Sequence, residues 1–161
     1  MFARIALALS LAAALTASAQ TPPPGSFVDI SSGPSGPSLG GPPPGGVPSA
    51  VVVGPDGSLY AAGDFQSAGS VTVDHVARWD GSAWRPLGPG LTFPVLALAI
   101  GPDGALYVGG LFPSAGGAAA SRVARWSGTA WSPLGSGVDW DVSALAVAPD
   151  GTLYAGGAFA T

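Results

Sequence analysis

The chain has 161 residues, with five Arg and nine Asp, no Lys and no Glu, and a formal net charge of −4. An acidic chain without clustered cations is a poor match for a phosphate backbone, which sets nucleic acid aside as a partner. The absence of Cys removes disulfides, thiol nucleophiles and Cys-bound zinc, and leaves an oxidising compartment open.

The 26 Gly and 17 Pro would point to disorder if they fell without a period, but most recur at fixed spacing. Strong surface helix formers are missing with Lys and Glu, while Val, Tyr, Trp and turn residues favour strands, so the composition predicts an all-β chain.

In chain order, residues 1–19 come first as a predicted signal peptide. Arg4 supplies a basic start, Ile5 to Leu15 a mostly apolar run, and Ala17-Ser18-Ala19 an A-x-A site, which predicts Sec export with cleavage after Ala19. The run is shorter than the roughly 20 residues that span a bilayer, so the cleaved chain is expected to be secreted or at the cell surface, without a membrane span. Residues 20–47 carry Pro22-Pro23-Pro24 and Pro42-Pro43-Pro44 among Gly and Ser. Proline fixes φ and removes backbone donors, so this stretch reads as a linker in extended, solvated chain.

From Pro48 the chain repeats. Gly54-Pro55-Asp56-Gly57 returns at Gly101 and again, as Ala-Pro-Asp-Gly, at Ala148, each step being 47 residues. The repeats run over 48–94, 95–141 and 142–161. Each opens with an apolar run, Ala50 to Val53, Ala97 to Ile100 and Ala144 to Val147, which predicts a strand buried on both faces. Pro-Asp-Gly then turns the chain, and the strands containing Tyr60, Tyr107 and Tyr154 complete hairpins. After a loop of about ten residues, a length common for connections of this kind, Val76-Ala77-Arg78-Trp79 and Trp84-Arg85-Pro86-Leu87 form a second pair around Asp80 to Ala83. Val123 to Leu134 repeat that pair. Four short strands per 47 residues, joined as a meander, predict one four-stranded antiparallel blade of a β-propeller, with two full blades and half of a third.

LYVGG followed by VARWSGTAWSPLG, Leu106 to Gly135, resembles the kelch and galactose-oxidase central-domain repeat. Gly109-Gly110, Trp126 and Trp131 match that repeat in the second unit. Ala62-Gly63, Trp79 and Trp84 match in the first, and Gly156-Gly157 in the third. The wording also looks like the ARWDG…W…LG repeats of secreted bacterial proteins and of fungal cortical polarity markers, while VVVGPDGSLYAAG is similar to NHL-type propellers. The resemblance implies a propeller and says little about activity, because propellers host many functions. The copper centre of galactose oxidase is not carried over, since it needs a Cys-linked Tyr and two His, and this chain has no Cys and one His.

The repeated Trp pairs read either as sugar platforms or as packing, and their fixed register beside Leu87 and Leu134 favours packing. Phe93 and Trp140 sit at equivalent positions between units, with Asp139 and Asp141 beside Trp140, and are the rim candidates for ligand binding. Arg78 and Arg125 read as fixed ion pairs or carbonyl donors. Asp56, Asp103 and Asp150 read as turn residues, since one Asp per turn lacks the oxygen ligands calcium requires. His75 aligns with Arg122 and reads as an exposed strand-edge residue. No catalytic residues, cofactor or metal ligands are assigned. The expectation is a non-enzymatic exported module that is structural or binds protein or glycan through inter-blade loops. The alternatives are the non-catalytic part of a carbohydrate-active propeller enzyme whose active-site blades lie elsewhere, or an NHL-type binding propeller. A half-blade leaves an open strand edge, so the chain is also expected to be a fragment of a longer one and to self-associate.

Overall fold

A computed structural model describes residues 47–160, and every regular element among them is a β-strand. The predicted signal peptide and all of the linker except Val47 lie outside the described residues. The strands are β1 (Val47–Val53), β2 (Leu59–Asp64), β3 (Ser67–Ala68), β4 (Val71–Thr72), β5 (Val76–Trp79), β6 (Trp84–Pro86) and β7 (Val95–Ile100). They continue as β8 (Leu106–Gly110), β9 (Ser114–Ala115), β10 (Ala118–Ala119), β11 (Val123–Trp126), β12 (Trp131–Pro133), β13 (Val142–Val147) and β14 (Leu153–Gly157).

The pairing is the predicted meander. Blade 1 has the order β1-β2-β5-β6, blade 2 repeats it as β7-β8-β11-β12, and β13-β14 reproduce the first hairpin, all antiparallel. With the match described below, this makes the chain a partial β-propeller. Each first hairpin turns in the same way. Gly54 N–H donates to Ser58 O at 2.8 Å and Gly57 N–H to Gly54 O at 3.0 Å, with Gly57 at φ 79°, a conformation open to glycine. The second and third turns repeat both bonds.

A second glycine position is fixed by close approach. Gly63, Gly110 and Gly157 close the second strand of each unit opposite an irregularity in the first, between Pro48 and Ala50, Val95 and Ala97, and Val142 and Ala144. A Cβ at Gly110 would strike Pro94 O and lie 2.8 Å from Val95 Cα. The glycine and the β-bulge are therefore one device, repeated three times, that brings the two backbones together.

Strand alternation builds two apolar layers. Tyr60 and Ala62 of β2 and Val76 of β5 face blade 2 and pack with Leu106, Val108 and Trp126 of that blade. Ala61 and Ala77 point the other way, into a cluster with Phe65, Val73 and Trp84. The predicted burial of the first strands on both faces holds best for β7, whose residues are all buried or half-buried and which packs between β1 and β13. It fails for β1 and β13. Val51 and Val53 are 52% and 63% exposed, and Tyr154 beside β13 is 61% exposed, because these outer hairpins have a packed neighbour on one side only among the described residues. The predicted ten-residue loop also holds more structure than expected. Ser67 pairs with Thr72 and Ala68 with Val71 in a small hairpin around Gly69, and Ser114 to Ala119 repeat it.

Candidate functional site

An antiparallel meander sends its first and third turns to one end of the blade, and its middle loop and inter-blade connection to the other. The Pro-Asp-Gly turns thus share an end with the turns inside the Trp-bearing pairs. The small hairpins share the opposite end with the connections that carry Phe93 and Trp140.

At the turn end, each Asp has a structural task. Asp56 accepts from Ser58 N at 3.0 Å and Ser58 Oγ at 2.9 Å, and takes the Arg78 guanidinium at 2.7 Å. Asp103 accepts from Ala105 N at 3.1 Å and pairs with Arg125 at 2.6 Å, and Asp150 caps Thr152 N at 2.9 Å. The Arg repeated in the third strand therefore ties that strand to the turn of the first hairpin. The Ser58 backbone N–H, then its hydroxyl, then Arg78 hold the Asp56 carboxyl down to about 2, while Asp103 is lowered chiefly by Arg125 and Asp150 by Thr152. Because Asp56 binds its proton less tightly in the folded chain than in the unfolded one, its stabilisation is complete above about pH 4 and fades as pH falls towards about 2. Asp56 is half exposed, which limits the term. Asp56→Asn is expected to lower stability by at most about 1 kcal/mol at pH 7 and to make no difference at the acid limit, as read by denaturant unfolding at both pH values.

The Trp pairs lie within the blades. Trp79 and Trp84 face each other across β5 and β6 with ring centroids 5.6 Å apart, and Trp126 and Trp131 across β11 and β12 at 5.2 Å. Trp84 and Trp126 are buried. The Trp131 indole N–H reaches across the blade boundary to Leu87 O at 2.7 Å.

Phe93 and Trp140 are 54% and 60% exposed, in contrast with those packed rings. Their backbones are held. Leu91 N–H donates to Asp74 O at 3.1 Å, Leu91 bridges to Ala115, and Gly116 N–H donates to Gly90 O at 2.9 Å. Thr92 adds a hydroxyl contact to Ser114 Oγ at 3.1 Å. In the next unit Val138 N–H donates to Ser121 O at 3.0 Å, and Asp139 Oδ1 accepts from Ala160 N at 3.2 Å. The structure thus places the two aromatics on fixed loops, one repeat apart, at the same end of adjacent units. The sequence pattern does not predict the small hairpin at Ser114 to Ala119 that braces the Phe93 connection; Ser-Ala-Gly at 67–69 and 114–116 is the sequence signal that marks it and its counterpart in the first unit.

His75 corrects an expectation, since it is 7% exposed and not an open edge residue. It adopts φ 64°, and Arg122 at the equivalent position adopts φ 73°. Both anchor the chain through backbone bonds: His75 N–H donates to Phe65 O at 2.9 Å and Arg122 N–H to Phe112 O at 2.8 Å. The Arg122 guanidinium also donates to Leu111 O, and His75 Nδ1 stands 3.8 Å from Asp64 Oδ1. This position serves loop geometry. Among the described residues, no group of three or more His, Cys, Asp or Glu is placed to hold a metal ion.

The class defined by the fold is the β-propeller. A family described as a domain of unknown function (DUF5122), β-propeller, matches residues 54–79, the stretch that begins at the first Pro-Asp-Gly turn and ends on Trp79, and that holds both Asp56 and Arg78. A comparison with curated proteins gives no match.

Proposed function

We propose that the chain is a non-enzymatic propeller segment of kelch type from an exported protein, and that it binds protein or glycan through the end bearing Phe93 and Trp140. The observation that carries this reading is the exposure of one large aromatic per connection at equivalent positions, on backbones already fixed by hydrogen bonds. A rigid aromatic meets a sugar face or an apolar side chain with little ordering cost, and the carboxylates of Asp139 and Asp141 supply acceptors beside it. Kelch type is supported by the paired Trp residues and the closing glycines. The exposed Tyr154 and the outer edge of β14, unpaired among the described residues, support self-association.

Phe93→Ala combined with Trp140→Ala is expected to abolish binding to any glycan or peptide captured on an array by the parent chain, while leaving the unfolding midpoint unchanged. Retained binding by the double variant would move the site elsewhere. Export rests on Arg4, the apolar run and Ala17-Ser18-Ala19. Mass spectrometry of secreted material is expected to find Gln20 as the first residue, and a dominant intact species beginning at Met1 would refute it.

A further inference from the structure

The two ends of the blades differ in charge. Among the described residues, the turn end holds Asp56, Asp80, Asp103 and Asp150, and each arginine there is paired: Arg78 with Asp56 at 2.7 Å, Arg85 with Asp80 at 2.9 Å and Arg125 with Asp103 at 2.6 Å. The end that carries Phe93 and Trp140 also holds four aspartates, Asp64 and Asp74 at the two sides of the middle loop of blade 1, and Asp139 and Asp141 beside Trp140. Among the described residues none of these four has an arginine partner. Arg122 stands at this end, but its guanidinium donates to Leu111 O, and His75 Nδ1 lies 3.8 Å from Asp64 Oδ1. The uncompensated negative charge is therefore gathered where the exposed aromatics are.

The scaffold does not require that charge. Asp56 recurs as Asp103 and Asp150, whereas Asp64, Asp74, Asp139 and Asp141 stand where a neighbouring unit has Leu111, Ser121, Thr92 and Pro94. Asp74 and Asp141 accept through main-chain oxygens, from Leu91 N and Ala158 N, both at 3.1 Å. Asp139 Oδ1 accepts from Ala160 N at 3.2 Å, a bond that an uncharged amide oxygen makes as well. Yet the side chains are set against the aromatic connections. A Cβ on Gly90, three residues before Phe93, would strike Asp74 Cβ, and Asp139 and Asp141 flank Trp140 in the chain. Asp64, Asp74 and Asp139 are exposed and Asp141 is half-buried. Among the described residues no three such groups converge as metal ligands do, so the charge is spread over two connections.

We infer that the partner of this end is a polypeptide presenting arginine, whose guanidinium groups stack on Phe93 and Trp140 beside the carboxylates of Asp74, Asp139 and Asp141, an inference that rests on the binding end proposed above. The face of an aromatic ring attracts a cation. A guanidinium is planar and more weakly hydrated than an ammonium, and stacks on rings more readily. Unpaired carboxylates draw in a cationic partner and turn away an anionic one. A neutral sugar would use them only as acceptors, which amides supply equally, and an acidic sugar would be repelled.

Fluorescence anisotropy of the full chain with a labelled peptide of Gly-Ser-Arg triplets, and with Lys, Gln or Glu in place of Arg, tests this partner. The Arg peptide is expected to bind more tightly than the Lys peptide, and the Gln and Glu peptides not to bind. Its affinity is expected to fall at least about tenfold between about 0.05 and 0.5 M salt, as screening shortens the reach of the charges. Asp141→Asn and Trp140→Leu are each expected to weaken it about threefold or more. Asp150→Asn removes the same charge from the turn end and keeps an oxygen for Thr152 N, and is expected to leave binding unchanged. A loss with Asp150→Asn equal to that with Asp141→Asn would reduce the effect to net charge and overturn the inference, as would a Gln peptide bound as tightly as the Arg one. If the chain binds a neutral chitin oligomer through Phe93 and Trp140 and not the Arg peptide, the binding end stands and the arginine partner falls. If Phe93→Ala combined with Trp140→Ala binds the Arg peptide as the parent does, both fall.

Discussion

Trp131→Ala is expected to lower the unfolding free energy by about 3–5 kcal/mol, the range for loss of a packed aromatic. The ring lies against Trp126 at 5.2 Å and beneath the Gly116 turn, where a Cβ on Gly116 would come within 2.9 Å of it, so truncation leaves a cavity between two rigid elements. The half-buried state of Trp131 places the loss towards the lower end of that range. Its hydrogen bond is the smaller part. Leu87 O also accepts from Gly90 N at 3.2 Å, and is not orphaned when the indole is removed. Trp131→Phe, which keeps an aromatic ring and loses the donor, is therefore expected to cost about 1 kcal/mol from the hydrogen bond. Denaturant unfolding of both variants separates the two terms. If Trp131→Ala left stability intact and removed glycan binding, the Trp pairs would be platforms and not packing.

The parts of the fold legible in the sequence are those encoded by local rules. Pro-Asp-Gly turns at a constant step, period-two strands and a repeated Trp pair each need a few neighbouring residues to be recognised, and together they give the four-stranded meander. What local rules do not encode is which copy has neighbours. Ala50 to Val53 and Ala97 to Ile100 read alike, yet Val51 and Val53 are exposed while β7 is enclosed, because burial depends on blades packed from elsewhere in the chain. The burial of His75 is hidden from the sequence for a related reason: it accompanies a positive-φ corner shared with Arg122, and two residues so different in type give no sequence signal for a common backbone task. At the candidate site, Phe93 and Trp140 were legible as aromatics in equivalent connections. Their exposure and the bracing of their loops by Asp74, Ser114 and Ser121 come from contacts between loops distant in sequence, which pattern reading does not reach.

Gly110→Ala is expected to be among the most damaging small substitutions in the chain, with a loss of about 3 kcal/mol or more, at the upper end for overpacking. Gly110 does not have a positive φ, so alanine meets no backbone penalty there and the whole effect is steric. The added Cβ would strike Pro94 O, lie 2.8 Å from Val95 Cα and 3.1 Å from Leu96 N. All three are backbone atoms, which cannot swing aside as a side chain can, and Val95 is fully buried. Relief requires β7 and β8 to part at the bulge, which also strains the bond from Gly110 N–H to Arg122 O, now 3.1 Å. Gly117→Ala supplies the contrast. Nothing lies within 4 Å of a Cβ there, but φ is 86°, so its cost is the conformational one alone, about 1–2 kcal/mol. Unfolding of the two variants side by side tests the argument: a Gly110→Ala chain no less stable than Gly117→Ala would show that the two backbones can separate cheaply, and the repeated glycine would then need another reason.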